Sequence, residues 1–319
     1  MNNTTLYTLT VLIWGSTWFA IEFQLGNVAP EISLVYRYGL ASLLLFAWCR
    51  FRGLRLRFAL RDHAWFGLLG LLLFGINYIV AYRAQLYITS ALTAIAFSTI
   101  VWMNVINARL FFGVRASPRT LIGAAMGVLG ITMLFAPQIG ELAFGDTVFY
   151  GSFLAALGAL VASFGNMASQ AAQKTGLPVL QSNAWGMFYG AVFTAGVAEY
   201  NGHAFTFDWS IGYVTSLVYL TVFGSIVAFG AYLTLLGRIG AHKAGYAMVM
   251  FPVVALVLST LFEDLELDAG LAVGMILVLA GNVFVLYTRG TEQAPGSRRL
   301  AAPMSAPALD ANYTRVARR

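Results

Sequence analysis

Apolar residues come in stretches of hydrocarbon length along this chain, separated by short polar breaks. Runs near 5–23, 32–49, 64–82, 90–112, 120–136, 147–172, 183–199, 212–235, 243–262 and 269–287 hold almost no internal charge. A helix needs roughly 20 apolar residues to cross a bilayer core, about twice the length of a barrel strand. A lipid-exposed backbone must also close its own hydrogen bonds, and strand-like alternation of apolar and polar residues is absent. Ten transmembrane helices in an all-α integral membrane protein are the expected architecture.

A shift of about 150 residues brings the second half onto the first. Phe74-Gly75 ahead of Asn77 and Tyr78 in the third run matches Phe223-Gly224 ahead of Ser225 and Tyr232 in the eighth. Tyr38-Gly39 in the second matches Trp185-Gly186 in the seventh, and Gly123 and Gly130 in the fifth match Gly274 and Gly281 in the tenth. The order is kept throughout, which predicts two five-helix repeats, residues 1–143 and 144–288. The tail that follows, 289–319, is rich in Ala, Pro, Ser and Arg and reads as disordered and cytoplasmic. An odd number of crossings per copy inverts the second copy in the membrane, and inverted repeats set a site at the midplane between two nearly equivalent conformations. The expectation is a central cavity worked by alternating access. The four-residue spacing of Gly123/Gly127 and Gly270/Gly274 reads as close helix packing, not chemistry.

Composition narrows the function classes. With 59% hydrophobic and 10% charged residues and a mean hydropathy of +0.75, the chain is far more apolar than a soluble domain. The net charge of +6 sits in short loops and the tail, where anionic lipid headgroups account for it better than nucleic acid. With a cytoplasmic N-terminus, Arg50, Arg52, Arg55, Arg57, Arg61, Arg109, Arg115, Arg119, Lys174, Arg238, Lys243 and the tail arginines all face inward, and Arg83 alone faces out. The basic residues therefore put both termini in the cytoplasm of a cell inner (plasma) membrane protein. The outer loops collect Glu141, Asp146, Asp208, Glu263, Asp264, Glu266 and Asp268. The single Cys49 excludes an internal disulfide and a cysteine metal cluster, and Met1–Leu6 lacks the basic start of a cleavable signal peptide. No P-loop, H-E-x-x-H or G-x-S-x-G pattern occurs, and His63, His203 and His242 fall in loops or at span ends. No cofactor, metal or catalytic residue is expected, and direct ATP hydrolysis is not expected either.

Polar and aromatic residues at helical spacing are the candidates for meeting a substrate. Trp14, Thr17 and Trp18 share a face of the first run, and Asn77, Tyr78 and Tyr82 fall on neighbouring stripes of the third. Ser98 and Trp102 stand four apart in the fourth, with Asn104 and Asn107 on another side; Ser163, Asn166 and Gln170 form a polar stripe in the sixth. Such groups fit poorly against lipid tails and should face the interior. Each alone is as well explained by interhelical hydrogen bonding, worth about 0.6 kcal/mol, whereas rings and amides together suit small aromatic or amphipathic solutes. A central arginine costs about 2.5–3.5 kcal/mol on insertion, so Arg37 requires a cavity, a partner or a route to the headgroups. Snorkelling, pairing with Glu22 and binding a substrate carboxylate all stay open for it. Pro252 removes a backbone bond in the ninth run and predicts a kink near Met248, beside Tyr246 and Met250, that is either static or a gate. No acid lies near the centre of any run, so coupling is expected to be absent, as in facilitated diffusion or exchange, or to use an unusual group such as His242.

Several motifs carry a family resemblance. Trp14-Gly15-Ser16-Thr17-Trp18-Phe19 is similar to a "WGS/T-x-F" opening helix, and Tyr36-Arg37-Tyr38-Gly39-Leu40-Ala41 to an "R-x-x-x-A" segment. Met250-Phe251-Pro252-Val253-Val254-Ala255, followed by Leu261-Phe262-Glu263, is similar to a "P-x-x-A…L-x-x-x-E" ending. Over residues 5–288 the chain thus resembles the EamA-type permeases of the drug/metabolite transporter (DMT) superfamily. Val114 stands where that family often has Glu, and Val101 where a repeat-related proline is expected. The resemblance implies a ten-helix bundle with a central cavity that exports amino acids, metabolites or toxic compounds. The expected function is a secondary transporter exporting or exchanging small metabolites, with a small-molecule substrate and the lipid bilayer as its partners. An intramembrane enzyme, a channel and a lipid scramblase are the competing readings.

Overall fold

The computed structural model describes residues 1–88, 90–134, 146–251, 253–254 and 269–286, and every regular element among them is helical. Helix α1, Asn3–Glu22, begins at Asn2, whose side-chain oxygen accepts the Thr5 amide at 2.8 Å and satisfies a first-turn donor that has no partner inside the helix. Helix α2, Pro30–Phe51, opens on a proline, whose missing N–H costs nothing in the first turn. Helix α3, Leu60–Ala84, starts where the Asp62 carboxylate accepts the Ala59 amide at 3.2 Å. Helices α4, Ser90–Ser98, and α5, Ile100–Phe112, follow; α5 stops at Gly113, whose φ of 68° is a left-handed turn that glycine makes without a steric penalty. Next come α6, Pro118–Leu134, α7, Asp146–Lys174, and α8, Val179–Tyr200. Helix α9 runs over Ile211–Ile239 and the short α10 over Ala241–Ala244, which continues into a 3-10 turn, Gly245–Met250. Helix α11, Ala269–Leu286, closes the described chain.

Among the described residues four helices are both long and apolar enough to cross a membrane: α2, α3, α7 from Phe149 onward, and α9. Helices α1 and α8, of 20 and 22 residues, have the length and carry more polar side chains. Leu43, Leu110, Phe111, Phe149 and Val218 point outward, while Thr10, Ser33, Arg37, Asn104 and Ser163 are buried. Apolar groups outside and polar groups inside suit hydrocarbon as the solvent, and the protein is an all-α membrane protein. The helices overlap the predicted runs and several extend past them, as α2 and α3 do at both ends; the run 90–112 is divided between α4 and α5, and the ninth run is described only through Val254. Pro252, the acids Glu141, Glu263, Asp264, Glu266 and Asp268, and the tail 289–319 lie outside the described residues. Around Met248 the predicted α-helix is a 3-10 turn, in which the Phe251 amide bonds to the Met248 carbonyl.

Helix α2 packs along α8, and α6 along α11. Small residues set how closely the backbones approach. A Cβ built on Gly70 would stand 2.7 Å from the Gly186 carbonyl oxygen, and one on Gly281 2.7 Å from that of Gly123. No larger residue fits either position without moving a helix.

Two rods are underwound in the same way. Gly70–Ile76 within α3 and Leu220–Val227 within α9 are π-helical. In the second, the Ser225 hydroxyl donates to the Leu220 carbonyl at 2.9 Å, five residues back. The Ala228 amide is directed to the Phe223 and Ser225 carbonyls, and so passes over Gly224. Gly224 instead accepts the Trp14 indole N–H, at 2.9 Å. A π turn of this kind redirects a backbone group toward a neighbouring element, a reason such turns recur at functional sites.

Candidate functional site

A cavity opens among α1, α3, α4, α7, α9 and the 3-10 turn. Its walls are largely rings. Trp14 packs edge-on against Phe229, with centroids 4.7 Å apart, and against Phe251 at 5.8 Å; Trp18 meets Phe97 at 5.5 Å. The polar contribution comes from Thr17, Asn77, Tyr78, Asn166 and Tyr232. Asn77 spends its amide on the Leu73 carbonyl at 3.3 Å, and Asn166 spends its amide on Asn104 Oδ1 at 3.2 Å. Asn77 Oδ1 is buried and bonds to no described residue, while the buried Tyr232 hydroxyl stands beside the Asn104 and Asn166 side chains. Buried polar atoms are nearly always satisfied, so the Asn77 oxygen on the cavity wall marks a place for a polar ligand or water.

Six of the residues singled out in the sequence therefore share this cavity: Trp14, Thr17, Trp18, Asn77, Tyr78 and Asn166. The others lie elsewhere. Ser163 accepts the Asn107 amide at 2.9 Å, and Gln170 Oε1 accepts the Ala241 backbone amide at 3.0 Å. The Tyr246 hydroxyl donates to the Thr120 carbonyl at 2.6 Å. Ser98 is buried, and Trp102 is half-buried and packs on the core without lining the cavity. Arg37 stands one layer behind the wall. Its Nε donates to Ser225 Oγ at 2.9 Å, and its Nη1 donates to the Tyr82 hydroxyl at 3.2 Å. The suggested pairing with Glu22 is not made, because Glu22 is exposed while Arg37 is turned inward and buried.

Phe97, Phe229, Tyr232 and Phe251 were missed as wall residues. Ser225, Phe229 and Tyr232 recur at helical spacing in the eighth run, and the repeat already aligned that run with the third. Carrying the stripe of Asn77 and Tyr78 across the repeat would have found them.

The same end of the bundle that holds the start of α2 carries a second set of contacts. Glu31 is 1% exposed and accepts Arg83 Nε at 3.0 Å, with His203 Nδ1 3.3 Å from its other oxygen. Gln24 donates to the Tyr213 carbonyl at 2.9 Å, and the Tyr36 hydroxyl donates to the Thr206 carbonyl at 2.9 Å. Asp208 accepts the Ser210 amide at 2.8 Å and the Asn27 side chain at 3.1 Å, and these two bonds, the backbone one first, lower its pKa from the ordinary value.

A model of the EamA-like transporter family matches residues 5–136 and 149–287. The chain is 30% identical over 308 residues to the "uncharacterized inner membrane transporter YedA" of Escherichia coli strain K12, covering 93% of this chain and 92% of that protein. It is 21% identical over 279 residues to the "uncharacterized transporter YoaV" of Bacillus subtilis strain 168, covering 87% and 94%. A protein of known crystal structure superposes with a TM-score of 0.73 at 19% identity, over 88% of this chain and 95% of that one, a likeness of fold.

Proposed function

Because the chain belongs to the EamA-like transporter family, we propose that it is a secondary transporter that exports or exchanges small aromatic or amphipathic metabolites by alternating access. The observation that carries this reading is the ring-walled cavity inside an apolar bundle, with Asn77 Oδ1 on its wall bonded to no described residue. Its walls come from the first, third, fourth, sixth, eighth and ninth runs, a set that maps onto itself when each run is exchanged for the one five later. The same exchange maps the α2–α8 and α6–α11 pairings onto themselves and carries one π-helical stretch onto the other. These regularities support ten helices in two inverted five-helix repeats, with the solute between them. The positive-inside rule then assigns both termini to the cytoplasm and the Glu31–Arg83 end to the outside.

The test is transport by purified protein in liposomes against a panel of labelled aromatic and amphipathic solutes. Saturable exchange is expected in the wild-type protein. It should fall by about tenfold in Trp14→Ala or Tyr232→Ala, the scale of losing one well-packed ring contact. Transport unaltered in Trp14→Ala, Asn77→Ala and Tyr232→Ala together would reject the cavity as the route, and flux that never saturates would make the protein a channel.

A further inference from the structure

Arg37 carries a full charge into a place where no acid among the described residues answers it. Two of its nitrogens are spent on the neutral hydroxyls of Ser225 and Tyr82, and its guanidinium carbon lies 4.9 Å from the Tyr78 ring centre and 5.2 Å from that of Tyr38. Among the described residues no carboxylate comes within ion-pair distance of it, and the residue is 1% exposed. Hydroxyl dipoles and ring faces lessen the cost of burying a cation but leave its charge uncompensated. An apolar side chain of similar size would avoid that cost altogether. The charge is therefore retained for something that it meets.

The remaining nitrogen, Nη2, faces Gly224. A Cβ built on Gly224 would lie 3.2 Å from Nη2 on one side and 3.0 Å from Thr17 Cγ2, on the cavity wall, on the other. A side chain there would crowd both Thr17 and the guanidinium, so glycine keeps Arg37 close behind the cavity wall. Tyr78, which covers the face of the guanidinium, is itself a wall residue. Among the described wall residues there is no acid, so an ammonium group on the solute would find no counter-charge.

We propose that the solute is an organic monoanion, a carboxylate or sulfonate on an aromatic or branched apolar body. Its anionic group reaches Arg37 Nη2 past Gly224 while its body lies among Trp14, Trp18 and Phe229. The inference rests on the transporter reading and adds a charge to it. It also supplies a driving force, since an inside-negative membrane expels a monoanion by about fiftyfold per 100 mV. Export of such a solute requires no titratable relay, in keeping with runs that have no acid near their centres.

Matched probes test the charge. Purified protein is expected to bind benzenesulfonate at least tenfold more tightly than benzenesulfonamide, which has nearly the same shape without the charge, and hydrocinnamate more tightly than its zwitterionic analogue L-phenylalanine, all read by calorimetry. Arg37→Gln should bring the sulfonate-to-sulfonamide ratio to about one, and Gly224→Ala should weaken the sulfonate more than the sulfonamide. Arg37→Met, which fills the space without charge, should show the same loss of ratio with an unfolding midpoint at or above that of the wild type, which separates lost recognition from lost fold. In liposomes an inside-positive potential should accelerate benzenesulfonate uptake. A ratio near one in the wild-type protein, a ratio that survives in Arg37→Gln, or uptake indifferent to potential would overturn the inference and leave the transporter reading standing. Failure of every solute in the wider panel to show saturable transport would remove both.

Discussion

Two arginines approach the same end of the bundle and are accommodated in opposite ways. Arg83 leaves 43% of its side chain exposed and bonds to a carboxylate, Glu31, that is itself buried. Arg37 is buried and bonds only to hydroxyls and ring faces among the described residues. In the first site the acid is the group that depends on its partner, since the arginine can turn to water. In the second the cation depends on its surroundings and has no such exit. A charge fully paired within the protein serves the fold, whereas a charge left unpaired in a membrane interior is free to serve a ligand.

The largest effect expected from this contrast is in Arg83→Ala, which strands the Glu31 carboxylate in the interior. A loss of about 2–3 kcal/mol follows, below the full cost of breaking a buried pair because Arg83 is partly screened by solvent, and a detergent unfolding titration measures it. An unchanged midpoint would mean that Glu31 does not rely on Arg83, and the contrast would collapse. Ser225→Ala comes next, at about 1–2 kcal/mol, because it takes an acceptor from a cation with no route to water. Glu31→Gln should cost less, about 1 kcal/mol, since the amide oxygen still accepts a bond and Arg83 can lean outward. An order of Glu31→Gln above Ser225→Ala in the same titration would reverse the assignment of which arginine is free. The smallest effect is in Asn27→Ala, read in the acid limb of the stability profile. Asp208 has a lowered pKa in the fold, so it contributes stability that is present above its ordinary value and is lost as pH falls through the lowered one. Without the Asn27 bond that loss should begin at higher pH, and an identical acid limb in the variant would show that the Ser210 amide alone holds the carboxylate.

Much of the fold was legible because a bilayer imposes a length. Runs such as 32–49 and 212–235 announce helices without reference to any partner, and α2 and α9 cover them. The candidate site was legible in part. Trp14, Thr17 and Trp18 are one turn apart on one helix, so any interior face holding one holds all, and all three line the cavity. The stripe of Ser163, Asn166 and Gln170 divides instead. Asn166 reaches the wall and also bonds Asn104, while Ser163 meets Asn107 and Gln170 meets the Ala241 amide, so all three make interhelical bonds and only one also faces the cavity. Periodicity identifies an inward face but not what stands opposite it. Glu22 was the acid suggested as a partner for Arg37, yet the partners are Tyr82, 45 residues away, and Ser225, 188 residues away.

The sequence by itself determined the solvent of this protein, the helical character and length of its segments, and the family to which it belongs, because these depend on local composition and on motifs carried by single helices. Only the tertiary structure decided which polar groups are spent on neighbouring helices and which are left facing a cavity, how the π turn in α9 lends a carbonyl to Trp14, and that Arg37 ends beside Gly224 with no acid at hand among the described residues. Those outcomes depend on side chains brought together from remote runs, and the energy of each polar group inside a membrane is set by what it meets there.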